Sequence, residues 1–280
     1  MDSPISLISI VLIAANIFAS YQGFTNRNLF QRYMFWVDGI KVQKQYDRLI
    51  TAGFLHTGWF HLLVNMYVLY IFINFFEALH SPIFFVFLYA GSLVGGNLLA
   101  LWIRQNQGSY QAVGASGAVS GLLFAYAIIS PKSMIYLFFF IPMPTWLFAV
   151  LYVAFSIYGI RSQRDNIGHE AHLGGAIVGL LITLAFFPQL AISSPILLAA
   201  LLVPTAAFLY VVAKRPELMV IPMKGFHFRP SAVSSGTRKM TVVRREPKFA
   251  TREEEINYLL DKGYENLSRK EKERLEQLSK

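Results

Sequence analysis

Apolar runs separated by short polar breaks occupy the chain as far as Val212, and a polar, basic segment follows from Lys214 to the end. Seven of these runs predict helices fit for a membrane: about Pro4 to Phe18, Gly58 to Phe76, Pro82 to Ile103, Ser116 to Ser130, Thr145 to Ile160, His172 to Phe187 and Pro195 to Val212. Proline punctuates them: Pro131 and Pro188 close the fourth and sixth runs, and Pro142 with Pro144 predicts a loop over Met134 to Pro144. Between the first and second runs, Arg27, Arg32, Lys41, Lys44 and Arg48 are interspersed with Phe30, Tyr33, Phe35 and Trp36. That mixture suits the headgroup zone of a bilayer. Lys214 to about Arg252 has little periodicity and reads as a linker. Two short helices are expected after it, Glu253 to Lys262 and Arg269 to Ser279, the second opened by the capping-box pattern Ser268-Arg269-Lys270-Glu271. Leu259, Leu260, Leu267, Leu275 and Leu278 give them a small apolar seam. The expected architecture is an all-α polytopic membrane protein, with a membrane core over residues 1–190, a further span over 191–213 and a basic soluble tail over 214–280 whose hairpin covers 253–280.

At 280 residues and 55% hydrophobic content, composition alone fits a large soluble core as well as a polytopic membrane protein. The distribution of charge selects the second. Of 25 Lys and Arg residues, 16 fall from Lys214 onward, so the positive balance belongs mostly to the tail. Beside a membrane region it points to anionic lipid and not to nucleic acid, for which there is no aromatic-interleaved basic groove. The absence of cysteine excludes disulfides, thiolate catalysis and Cys-ligated metals. The apolar N-terminal run lacks a basic flank and a small-residue cleavage site, so it reads as a retained first span.

Candidate chemistry centres on Gly114-Ala115-Ser116-Gly117-Ala118-Val119-Ser120-Gly121. A serine between glycines at the head of a helix has room for close backbone approach and free N–H groups for a developing anion. The same small residues, with Gly117 and Gly121 four apart, equally suit close helix packing. The fourth run is short. Its roughly 15 helical residues reach about 22 Å against a hydrocarbon core of about 30 Å. With Pro131 at one interface, Ser116 lies below the other, and non-helical backbone at that depth requires a water-filled cavity.

Polar side chains inside spans are costly, so each is a functional candidate. His61 and Asn65 are four apart on one helical face, where two donors either hold an oxyanion or bond a neighbouring helix. His172 opens the sixth run, ahead of Gly175 and Gly179, which allow a close approach to another glycine-faced helix. It is either a general base or a plain interfacial histidine. His169-Glu170-Ala171-His172 is one residue short of a zinc-protease motif, so no metal is expected. Glu170 lies on a different side of that helix from His172, which leaves no acid to orient the imidazole. A hydrolase built from these residues works through a Ser–His dyad.

Taken in order, His56…His61…Asn65, Gly114-Ala115-Ser116-Gly117 and Ala171-His172-Leu173-Gly174-Gly175 resemble the rhomboid family of intramembrane serine proteases, over roughly residues 45 to 187. The resemblance implies a six-helix rhomboid-like bundle, extended here by a seventh C-terminal span and a helical tail. It implies Ser116 as nucleophile and His172 as base and then acid, with an oxyanion site from the Ser116 N–H, His61 and Asn65. Supporting roles fall to His56, Glu77, Gly114, Gly117, Gly175 and Gly179. The fifth helix and the loop Arg161 to Glu170 become a lateral gate and cap. Two departures stand out: Asp47-Arg48 lacks the tryptophan many members place before the arginine, and Ser120 stands where many have an aromatic beneath the histidine ring.

The implied activity is a serine endopeptidase acting on transmembrane helices of other proteins, at stretches weakened by Gly, Ser or Pro, with no cofactor and in a bacterial-type plasma membrane. Two other classes fit part of the pattern. One is an inactive rhomboid-like protein that binds transmembrane clients, against which stands the intact Ser, His and Asn set. The other is a small transporter, against which stands the lack of an inverted repeat of broken spans. Orientation is in conflict. Positive charge places the active-site mouth and tail in the cytoplasm, whereas the family usually has the mouth outside.

Overall fold

A computed structural model describes residues 6–79, 82–137, 140–163, 165, 167–215, 251–252, 255–256, 259 and 269–278. It divides into two units, 1–224 and 225–280. Among the described residues, six helices are long and apolar enough to cross a membrane: α1 (Leu7–Thr25), α5 (Trp59–Leu79), α6 (Pro82–Ile103), α8 (Thr145–Ser162), α9 (His169–Phe186) and α11 (Pro195–Lys214). A shorter apolar helix, α7 (Ser116–Ile129), packs against α5, α6, α8 and α9. This is the all-α, multi-pass architecture that the apolar runs predict.

Helix α1 runs on through Thr25 instead of stopping near Phe18. Its buried residues are Ser9, Asn16, Ser20 and Gly23, a small and polar stripe, while Ile10, Val11, Ile17 and Phe18 face outward. Polar groups continue the helix because each finds a partner inside. Ser20 Oγ donates to the Phe54 carbonyl (2.9 Å), and the Asn16 amide donates to the Tyr89 hydroxyl (3.3 Å).

The amphipathic stretch folds into short elements: α2 (Arg27–Tyr33), β1 (Phe35–Trp36), α3 (Val37–Lys41), α4 (Arg48–Thr51) and a 3-10 turn at Ala52–Phe54. Arg48 is buried here, donating to the carbonyls of Gln31 (2.9 Å) and Met34 (2.6 Å) and lying 5.5 Å over the Trp36 ring. An aromatic partner for Arg48 therefore comes from β1. Strand β1 pairs antiparallel with β2 (Gln111–Ala112), which zips this stretch to the segment entering α7.

Two further expectations are corrected. Met134 to Pro144 is a hairpin of β3 (Met134–Leu137) and β4 (Ile141–Pro144), not a loop; Pro142 and Pro144 are tolerated because a two-stranded ladder has an outer edge needing no N–H donor. The sixth run begins at His169 rather than His172, so Glu170 is part of the first helical turn. A five-residue helix α10 (Gln189–Ser193) fills the break before α11.

Glycine sets the distance between α6, α7 and α9. A Cβ on Gly175 would run into the Gly117 carbonyl oxygen, one on Gly179 into the Gly121 backbone, and one on Gly96 into the Ala171 carbonyl. Backbone therefore meets backbone across both glycine pairs. In the second unit, Ile256, Leu259, Leu275 and Leu278 cluster, and Arg274 pairs with Glu255 at 2.8 Å. The expected linker and the side chains of Glu77, Leu260 and Leu267 lie outside the described residues.

Candidate active site

Gly114 has φ of 127°, a conformation in which any other residue is strained, and its N–H donates to the Ala52 carbonyl (3.0 Å). The chain turns here and starts α7 at Ser116, whose N–H belongs to the unpaired first turn of the helix. His172 lies in the first turn of α9. Its Nε2 is 2.6 Å from Ser116 Oγ, and both residues are partly exposed. Tyr152 of α8 stacks on the His172 ring (centroids 6.2 Å apart, planes at 29°), and its hydroxyl is 2.6 Å from Ser120 Oγ. Ser120 in turn donates to the Ser116 carbonyl (2.7 Å). The aromatic support missing at position 120 is thus delivered from α8, with Ser120 holding the tyrosine.

His61 of α5 reaches the same turn. A Cβ built on Gly114 would lie 2.9 Å from His61 Nε2 and 3.7 Å from Ser116 Oγ. Thr57 donates its N–H to His61 Nδ1 (3.4 Å), which leaves the proton on Nε2, beside Gly114. Asn65, one turn along α5, donates from its amide to the His61 carbonyl (2.9 Å); the amide has a second N–H. A small cavity of about 20 Å³ adjoins Ser116, lined by Ala52, Asn97, Ala112, Gly114, Gly168 and Ala171, room for about one water.

His56 sits behind His61, with ring centroids 4.9 Å apart. Because Ser20 Oγ donates to the Phe54 carbonyl, His56 Nδ1–H donates to Ser20 (2.8 Å), and its Nε2 accepts from the Ala115 N–H (3.5 Å). Burial, reinforced by His61, lowers the His56 pKa from 6.5 to about 3. Unfolding would let this imidazole take a proton at any pH between those values, so stability is fully present above about 6.5 and drains away as pH falls towards 3. The melting temperature in detergent is expected to fall over that window and to fall less steeply in His56→Gln. Equal slopes would rule out His56 as the source.

His169 and His172 face different partners: His169 Nε2 lies 3.1 Å from Asp165, while His172 faces Ser116. The sequence assigns no partner to Glu170, yet it is buried and paired with Arg104, its Oε1 accepting from Arg104 Nε (2.6 Å) and its Oε2 from the Tyr110 hydroxyl (3.0 Å). Burial, with help from the Glu170 carboxylate, pushes the Tyr110 phenol up, so it stays protonated and donates. The available signal was an arginine and a glutamate at the ends of two apolar runs on the same side of the membrane.

Comparison with known proteins identifies the family. A family profile described as "Rhomboid domain" matches residues 43–189. RHOMBOID-like protein 12, mitochondrial, of Arabidopsis thaliana is 28% identical over 190 residues, covering 62% of this chain and 56% of that protein. Rhomboid protein 1, mitochondrial, of Saccharomyces cerevisiae is 30% identical over 137 residues, covering 48% of this chain and 40% of that protein. Rhomboid-like protein 11, chloroplastic, of Arabidopsis thaliana is 28% identical over 197 residues, covering 66% of this chain and 65% of that protein. The chain thus spans between two fifths and two thirds of the length of these relatives. The profile covers more than half of the chain, including Ser116, His172, His61 and Asn65, and the chain belongs to the rhomboid family.

Proposed function

We propose that this multi-pass membrane protein is a serine endopeptidase that cleaves transmembrane segments of other membrane proteins. The observation that carries the reading is the 2.6 Å approach of His172 Nε2 to Ser116 Oγ at the heads of two adjoining helices. Ser116 Oγ attacks the substrate carbonyl carbon as His172 Nε2 takes its proton. The negative oxygen is received by the Ser116 N–H and His61 Nε2–H, with Asn65 as a third donor. His172 then passes the proton to the leaving amine, and water from the adjoining cavity releases the acyl group.

Substrate helices must unwind to place an extended bond at Ser116. Stretches containing Gly, Ser or Pro make that less costly. From its charge, the basic tail is expected to bind anionic lipid. The bacterial-type plasma membrane expected from the sequence draws no support from these relatives, named for mitochondria and chloroplasts, and only the multi-pass membrane location is carried forward.

The test needs no known substrate. Detergent-purified wild-type protein is expected to be labelled covalently by a fluorophosphonate, and Ser116→Ala to be unlabelled while melting at a similar temperature. Absence of labelling in folded wild type, with this probe and a smaller one, would favour a non-catalytic protein that binds client helices.

A further inference from the structure

The buried cluster of Arg104, Tyr110 and Glu170 takes no part in the chemistry above, yet it joins the segments that carry it. Arg104 directly follows α6, Tyr110 lies in the segment leading to Ser116, and Glu170 is two residues before His172 in the first turn of α9. The side chains of Arg104 and Glu170 are 7% and 1% exposed. Arg104 engages Glu170 through two nitrogens, Nε at 2.6 Å and Nη2, and donates from Nη1 to Gln107 Oε1 (3.1 Å). Its guanidinium lies 5.1 Å over the Tyr110 ring. Tyr110 is fixed in turn, since its carbonyl accepts from the Val37 N–H (3.2 Å) and its ring meets Phe35 edge-on at 6.0 Å. The first turn of α9 is thereby fastened to the end of α6, to the segment entering α7 and to the amphipathic stretch.

A buried ion pair is weak evidence for stability, because desolvation offsets most of the Coulomb gain. What a charge-assisted pair with several hydrogen bonds adds is fixed geometry. Fixed geometry matters at this site, where Tyr152 stacks on the His172 ring. The glycine faces of α7 and α9 set how closely the helices approach, and Val178 and Ile182 of α9 fill the space over Gly95 and Gly91 of α6. The Arg104–Glu170 pair adds a polar, directional hold at the first turn, next to His172. Among the described residues no carboxylate is hydrogen-bonded to the His172 ring. Proton transfer between Oγ and Nε2 tolerates little error, a displacement of about 1 Å being able to cost on the order of 10²-fold in rate.

We infer that Glu170 is a positioning residue: through Arg104 and Tyr110 it fixes the register of α9 and so holds His172 against Ser116. The acid of a hydrolytic triad acts on the imidazole itself; here an acid acts on the helix that carries it. This inference rests on the protease reading.

The test uses the full chain in proteoliposomes with three variants. Glu170→Gln leaves a buried guanidinium without its counter-ion and is expected to lose both fold and activity. The Arg104→Met/Glu170→Met double variant replaces the pair by apolar groups of similar reach, a change that buried pairs often tolerate. Tyr110→Phe keeps the pair and removes one contact. The expected result is a double variant that melts within a few degrees of wild type, with fluorophosphonate inactivation slowed on the order of 10–10²-fold and kcat reduced at nearly unchanged KM. Tyr110→Phe should lose several-fold in kcat.

Wild-type rates in a folded double variant would overturn the inference and leave the cluster a structural one. If the double variant does not fold, Tyr110→Phe decides alone, and a wild-type kcat there would be equally fatal. Failure of the protease reading shows itself separately, as a folded wild type that is neither labelled nor active, and the inference falls with it.

Discussion

His172→Ala is expected to lower kcat for a single-pass substrate in proteoliposomes by on the order of 10⁴-fold or more, with KM little changed. The imidazole is the only proton acceptor bonded to Ser116 Oγ among the described residues, at 2.6 Å, and a serine hydroxyl without a base is a poor nucleophile. KM should hold because the ring touches the reacting atoms and not the flanking substrate helix. Ser116→Ala should match this loss, and the double variant should be no worse than either, since the two residues act as a unit. Asn65→Ala should cost much less, about 10–10²-fold, because the Ser116 N–H and His61 Nε2–H remain as donors. Cleavage followed by gel against time, at several substrate densities, separates kcat from KM. Full activity in His172→Ala would sink the dyad, whatever happens in Ser116→Ala.

The second large effect is steric. Gly175→Val is expected to abolish fluorophosphonate labelling and to lower the melting temperature in detergent, although residue 175 touches no reacting atom. Even a single Cβ there would run into the Gly117 carbonyl oxygen, one residue after Ser116, and valine brings two further methyl groups. The α7 and α9 backbones must separate to admit it. Overpacking of this kind typically costs about 1–3 kcal/mol, and the separation carries His172 away from Ser116, for which a 10²-fold loss per ångström is a fair scale. Gly58→Ala is the control, because a Cβ at Gly58 meets nothing within 4 Å and should leave both readouts unchanged. A Gly175→Val protein that labels at the wild-type rate would mean that the close glycine contact does not set the site.

Hydrophobic patterning located the long helices because in a bilayer each must satisfy its own backbone and show an apolar exterior, a requirement local to each segment. It failed where the reason for a conformation lies elsewhere in the chain. Ser20 carries α1 past its apolar run only because Phe54 and His56 stand ready to bond it. Pro142 and Pro144 suggested a loop, but the partner strand Met134–Leu137 gives them an edge where no donor is required.

The site divides along the same line. The residue types at positions 61, 65, 114, 116 and 172 were legible from the sequence because a serine between glycines at a helix head and polar groups within spans are each unusual in themselves. Their convergence was an expectation from glycine spacing and the family resemblance, and the contact itself depends on glycine faces of α7 and α9 meeting at backbone distance. The partners of Ser120 and Glu170 were not legible. Helical spacing correctly removes Glu170 from the His172 face, but spacing within one helix says nothing about Arg104 and Tyr110, which come from 66 and 60 residues away. Sequence alone determined the class of fold and marked the candidate residues for chemistry, because these follow from local polarity and backbone geometry. Only the tertiary structure decided which of those residues meet and what holds them, because contacts between helices depend on shapes that no single segment contains.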